Sequence, residues 1–208
     1  MLTLYVAPGT CALASLIALE EAGAPYRAVK LDFAAGEQRG EAYRRVNPKG
    51  RVPALATERG ILTETPAILA YVAQAFPSAG LAPLDDPFAF AELQAFNSYL
   101  CSTVHVNHAH RPRGSRWADE ATSLADMKRK VPETMTASMR LIEDDYLKGP
   151  WVLGERYSVA DGYLFTLGNW LEGDGVEVGR LPRILDHRAR MAARPAVQRA
   201  RAAEQGKG

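Results

Sequence analysis

Residues 2 to 23 constrain the chain most. Leu2 to Val6 is an alternating, β-prone run, Pro8-Gly9 breaks it, and Cys11 to Ala22 consists of helix formers closed by Gly23, where a C-cap glycine belongs. A strand thus hands over to a helix at a thiol. Cys11 falls in the first helical turn, where unpaired backbone N–H groups and the positive end of the helix dipole favour an anion. The pattern therefore predicts a lowered pKa and an available thiolate. An unpaired cysteine also reads as a small buried hydrophobe, and this stretch alone leaves both readings open.

The rest of the first half follows as alternating signals. Tyr26 to Asp32 alternates polar and apolar and predicts a second strand, completing a βαβ unit. Gly36 and Gly40 bracket a polar loop, a short helix is predicted around Glu41 to Arg45, and Asn47-Pro48-Lys49-Gly50 is a dense turn signal. Val52 to Ala56 and Ile61 to Thr63, joined through Glu58-Arg59-Gly60, predict a hairpin. A helix from Thr65-Pro66 to about Phe76 closes this half, with Thr65 as N-cap and proline at the first helical position.

Two features here bear on chemistry. A helix N-terminus with a capping hydroxyl suits a carboxylate, and Glu64 beside it suits an ammonium, so Glu64-Thr65 fits the paired charges of an α-amino acid. Taken singly, Thr65 simply caps and Glu64 simply complements the dipole. A cis Val52-Pro53 bond would turn the Val52 N–H and C=O outward to pair with an extended peptide, whereas an ordinary edge-strand proline does nothing of the kind.

With these residues in place the first half resembles the thioredoxin-like glutathione-binding domain of the glutathione S-transferases. The marks are the order βαβ-ββα, the cysteine at the first helix start, the Asn47-Pro-Lys-Gly-Arg-Val-Pro53 turn and the Thr63-Glu-Thr65 helix start. Ala7 to Gly23 is close to the first-helix signature of the bacterial beta class, which carries cysteine where other classes have tyrosine or serine. The resemblance spans essentially the whole chain. It implies a cis bond at Val52-Pro53 and glutathione as co-substrate, held by Lys49, Val52, Pro53, Glu64 and Thr65. It also implies a homodimer.

The second half reads as all-helical. Residues 78–86 are rich in turn formers and predict a linker between a thioredoxin-like domain at 1–77 and a helical domain at 87–208 that forms the second-substrate pocket. Phe88 to about His110 predicts one long helix broken at Arg111-Pro112-Arg113-Gly114. Asp119 to about Leu147 predicts another, with a stripe from Leu124 to Tyr146 and a kink at Pro132. Ser158 and Asp161 form a capping-box-like pair, and Pro182 and Pro195 punctuate two more helices.

Three of the four histidines, His105, His108 and His110, cluster near the end of the first long helix. Without a local cysteine or carboxylate no metal is expected, and the default is a satisfied polar histidine. The resemblance assigns His105 a place beside the bound thiol, to hydrogen-bond or polarise sulfur, and puts Ser98 and Ser102 where a partner subunit touches glutathione. Two departures from the beta-class pattern stand out. Ala12 follows Cys11 where serine is usual, and Val106 follows His105 where lysine is usual, so the site lacks a hydroxyl and a cation. The run Arg111, Arg113, Arg116 reads either as a solvated face or as a preference for an anionic co-substrate.

Charge and composition narrow the partners. Lys plus Arg 25 against Asp plus Glu 24 offers no pull toward nucleic acid, and two distant cysteines make neither a zinc site nor a disulfide framework. With no signal-like leader and no long apolar run, the expectation is a cytoplasmic protein that engages no membrane. The expected activity is transfer of glutathione to a hydrophobic electrophilic small molecule, as in detoxification, with Cys11 and His105 catalytic. A glutathione-dependent thiol-disulfide reductase working through a Cys11 mixed disulfide is the second reading, and a non-enzymatic binding or scaffold protein the third.

Overall fold

The computed structural model describes residues 1–206. Strands β1 (Leu2–Val6), β2 (Tyr26–Lys30), β3 (Ala54–Thr57) and β4 (Gly60–Thr63) form one sheet in the order β2-β1-β3-β4. β1 and β2 run parallel, as the intervening helix α1 (Ala12–Glu21) requires, while β1 with β3 and β3 with β4 are antiparallel. In that register Leu4 lies opposite Leu55, and both are fully buried. Two further helices complete this half, the single turn α2 (Glu41–Arg44) and α3 (Thr65–Ala75).

The helical half contains α4 (Pro87–Tyr99), α5 (His105–Arg113), α6 (Ala121–Leu141), α7 (Val159–Gly168), α8 (Pro182–Ala192) and α9 (Pro195–Glu204). Every residue of α1 from Ala12 to Leu19 is buried. A helix apolar on all sides belongs in the interior, and α1 packs against β1, α3, α7 and α9 at once. The thioredoxin-like sheet and the helical half therefore share one continuous core, with α1 as the common element.

Three expectations shift in the structure. The long first helix is interrupted by a π turn at Leu100–Val104, and its C-terminal part runs through Pro112, ending at the 3-10 turn Gly114–Arg116. The one-residue widening of the π turn precedes His105 and sets its direction. Pro132 lies inside α6, which stays one helix to Leu141 before a second π turn, Ile142–Tyr146. Of the stripe on this element Val131, Met135 and Ile142 are buried, while Tyr146 lies at the edge against Phe96, ring centroids 5.0 Å apart. Ser158 and Asp161 form a complete capping box at α7. The buried Asp161 also accepts from the Val152 N–H at 2.8 Å and pairs with His187 at 3.0 Å, which ties α8 to the start of α7.

Candidate active site

Cys11 occupies the N-cap position of α1 and is 8% exposed. Its Sγ donates to the Val52 carbonyl at 3.6 Å. Burial pushes the thiol above its usual range, and the Thr65 hydroxyl and the Arg113 charge only partly oppose this. The lowered pKa read from the sequence is thus overturned: removing water from sulfur outweighs the favourable field of the helix end. Cys11 is both buried and at the thiol-bearing junction, so the two readings of this residue are not exclusive.

The sheet side of the site is set by the turn before β3. Asn47 is buried, and its side-chain amide donates to the Arg51 carbonyl at 2.7 Å, which the Tyr43 hydroxyl also reaches at 2.7 Å. Gly50 has φ +60, and a Cβ there would meet the Gln38 carbonyl at 2.9 Å, so only glycine fits. This turn delivers the cis Val52–Pro53 peptide. Among the described residues the Val52 N–H has no partner, and its C=O takes only the weak thiol donor. Both groups of this peptide edge are thus open to an extended ligand.

Glu64 has φ 72, an uncommon conformation for a side-chain-bearing residue. The chain enters α3 through this residue, so Glu64 holds the N-cap position and Thr65 is the first helical residue; the helix starts one residue earlier than the sequence suggested. Thr65 is 4% exposed, and its hydroxyl makes no capping hydrogen bond at the start of α3. Lys49 Nζ donates to the Glu64 carboxylate and to Thr63 Oγ1, the latter at 2.8 Å. Lys49, Val52, Pro53, Glu64 and Thr65 therefore line one wall beside Cys11. Ser98 and Ser102 are exposed, on α4 and the π turn, and contribute no hydrogen bond to this wall.

The helical side holds what the sequence did not disclose. The guanidinium of Arg113 donates to His105 Nε2 at 3.1 Å. Because a guanidinium has no acceptor, His105 must be neutral, with its proton on Nδ1. Burial, with Arg113 as the next contributor, pushes its pKa down to about 3. The cation lacking at Val106 is supplied by Arg113, two turns further along α5. His108 Nδ1 donates to the buried Asp174 at 2.8 Å, so the carboxylate missing from the local sequence comes from beyond α7.

Trp170 joins these groups to the thiol loop. Its ring stacks on His108 with centroids 4.1 Å apart and faces His105 at 5.1 Å, and its indole N–H donates to the Gly9 carbonyl at 3.2 Å. The Gly9 N–H in turn donates to Glu204 of α9 at 3.1 Å. Both backbone groups of Gly9, two residues before Cys11 and at φ +73, are held by the helical half. Sequence reading missed Trp170, Asp174 and Glu204, and no local signal marks them. Arg113 was read only as part of the basic run Arg111, Arg113, Arg116, without a link to His105. A cleft of about 510 Å³ beside His108, Arg111, Lys128 and Asp174 has Trp170 in its lining but not Cys11.

A thioredoxin-like sheet with a cis-proline edge, joined to helices across a buried thiol, defines a thiol-centred member of the thioredoxin-fold proteins. Comparison with known proteins names the family. Residues 1–74 match the glutathione S-transferase N-terminal domain. The chain is 33% identical to glutathione S-transferase GstA of Escherichia coli O157:H7, covering 97% of this chain and 98% of that protein. A glutathione transferase homologue from Sulfitobacter, solved with bound glutathione, is 50% identical over 100% of this chain and 99% of its own, with a TM-score of 0.94. The bacterial beta-class glutathione S-transferase of Sphingomonas chungbukensis is 33% identical over 99% of this chain and 100% of its own, with a TM-score of 0.86. This chain belongs to the glutathione S-transferase family. Among the described residues no helix is long and apolar enough to cross a membrane.

Proposed function

We propose that this protein is a glutathione transferase of the beta-class type that moves glutathione onto a hydrophobic electrophilic small molecule. One observation carries the reading: the thiol of Cys11, at the start of α1, donates to the carbonyl of Val52 at the cis-proline edge, which joins the thiol to open backbone groups. Glutathione pairs its backbone with Val52, beside Pro53. Its α-ammonium goes to Glu64 and its α-carboxylate to Thr65 and the N-terminus of α3. The ligand ammonium displaces Lys49 from Glu64, freeing that lysine for a carboxylate.

The bound thiol releases its proton to solvent, and the resulting thiolate accepts a hydrogen bond from the Cys11 S–H, with Arg113 as counter-charge. The C–S bond forms at the electrophilic carbon, and the leaving group departs with the bonding pair. His105 is a positioning residue that aims Arg113. In this reading residues 1–77 bind glutathione, 78–86 link, and 87–208 shape the second pocket. A second copy of the chain, meeting the exposed Ser98 and Ser102, completes a homodimer working in the cytoplasm.

Thiol-disulfide exchange through Cys11 needs a Cys11 thiolate, which burial disfavours, so transfer ranks first. Intact mass after incubation with oxidised glutathione separates the two, with calorimetry of reduced glutathione alongside. The expected result is glutathione binding without a Cys11 adduct. An adduct that needs Cys11 and reverses with reductant would replace transfer by exchange, and absence of glutathione binding would leave a scaffold.

A further inference from the structure

A separate cavity of about 370 Å³ lies where α9 meets the loop before Cys11, and Gly9, Thr10, Leu13, Trp170, Arg201 and Glu204 line it. That volume falls in the range of small-molecule sites. Arg201 and Glu204 stand three residues apart on α9, a spacing at which opposite charges ordinarily pair. Among the described residues they form no ion pair, although Arg194 and Arg199 beside them hold Glu21 and Glu20. Neutral groups engage each charge instead. Glu204, 6% exposed, accepts from the Gly9 N–H at 3.1 Å through one carboxylate oxygen, and among the described residues its other oxygen has no partner. Arg201 donates to Asn169 Oδ1 at 3.3 Å and lies over the Phe165 ring, 5.0 Å from its centroid.

One cavity thus holds a buried carboxylate and a guanidinium, each short of its natural partner. Burial raises the Glu204 pKa, and the Gly9 N–H and the Arg201 charge only partly oppose it. A carboxylate in that setting gains from a cation that brings its own N–H donors. The planar fork of arginine gains from a carboxylate received two bonds at a time. A molecule carrying both charges a few bonds apart answers both groups at once. We propose that this cavity binds a free α-amino acid with an apolar side chain. Its ammonium meets Glu204, its carboxylate meets Arg201, and its side chain lies against Leu13 and Trp170. The site shares no residue with the wall formed by Lys49, Val52, Pro53, Glu64 and Thr65, so it stands apart from the transfer reading.

The test is calorimetry on the full chain with L-leucine, with isoamylamine, which is leucine without its carboxylate, and with isocaproate, which is leucine without its ammonium. Leucine should bind at least about tenfold tighter than either singly charged probe. Arg201→Gln should weaken leucine to the Kd of the amine, and Glu204→Gln should weaken it to that of the acid. Glu64→Ala should leave leucine binding as it is. No leucine binding, or leucine no tighter than the two probes, overturns the proposal. So does unchanged leucine binding in both Arg201→Gln and Glu204→Gln. Loss of leucine binding in Glu64→Ala alone places the amino acid on the glutathione wall and overturns it as well. Arg201 is exposed, so should Glu204→Gln fail to fold, Arg201→Gln decides the matter.

Discussion

The two walls of the cleft are built in opposite ways. The sheet wall is local: Asn47 and Tyr43 hold the Arg51 carbonyl, Lys49 meets Glu64, and the positive φ of Glu64 turns the chain into α3, all within one short stretch. The helical wall is assembled across the fold, from Arg113 on His105, Asp174 on His108, and Trp170 and Glu204 on Gly9. Reading a peptide backbone needs backbone groups at set positions, which a tight turn supplies alone. Controlling a sulfur needs charge close by and water kept away, and only packing between distant elements provides both.

The comparison breaks first at Glu64. If the sheet wall carries recognition, Glu64→Ala should weaken reduced glutathione by about 2 kcal/mol, roughly thirtyfold in Kd, read by calorimetry. An unchanged Kd would move recognition off this wall. On the helical side His105→Leu leaves Arg113 without its acceptor and should cost about 1.5 kcal/mol in denaturant unfolding.

His105 also sharpens the contrast through pH. Its pKa is about 3 in the folded chain against an ordinary 6.5, so on acidification the unfolded chain takes up the proton first. The stability it contributes is full above about pH 6.5 and is lost as pH falls toward about 3. In His105→Leu that part of the slope should vanish from a series of unfolding curves across the window. An identical slope would mean the imidazole is solvated.

Smaller effects probe the clamp on Gly9. Trp170→Phe keeps a ring beside His108 but removes the N–H from the Gly9 carbonyl, at a cost of about 1 kcal/mol. Turnover should fall more than glutathione affinity, since the loop it holds leads to Cys11 and not to Glu64. Glu204→Gln still offers an acceptor to the Gly9 N–H while relieving a carboxyl whose pKa burial raises. Its effect should stay within about 0.5 kcal/mol. A larger loss on thermal unfolding would show that the charge itself matters.

Much of the sheet wall was legible because its signals are local. Asn-Pro-x-Gly, Val-Pro and Glu-Thr-Pro report backbone geometry within a few residues, and even there the N-cap of α3 was read at Thr65, one position late, because the positive φ of Glu64 has no sequence mark. The helical wall was legible only in its histidine. Arg113 sat in a basic run that reads equally well as solvated surface, and the proline before it suggested that α5 had already ended.

By itself the sequence determined the two-part architecture, the cysteine at a strand-to-helix junction and the turn that leads to Pro53, because periodicity, turn chemistry and caps act over one or two turns of chain. Only the tertiary structure decided the state of that cysteine. Burial, Thr65 and Arg113 act on one sulfur from three directions, and the balance among desolvation, hydrogen bonding and charge depends on distances that no stretch of sequence contains.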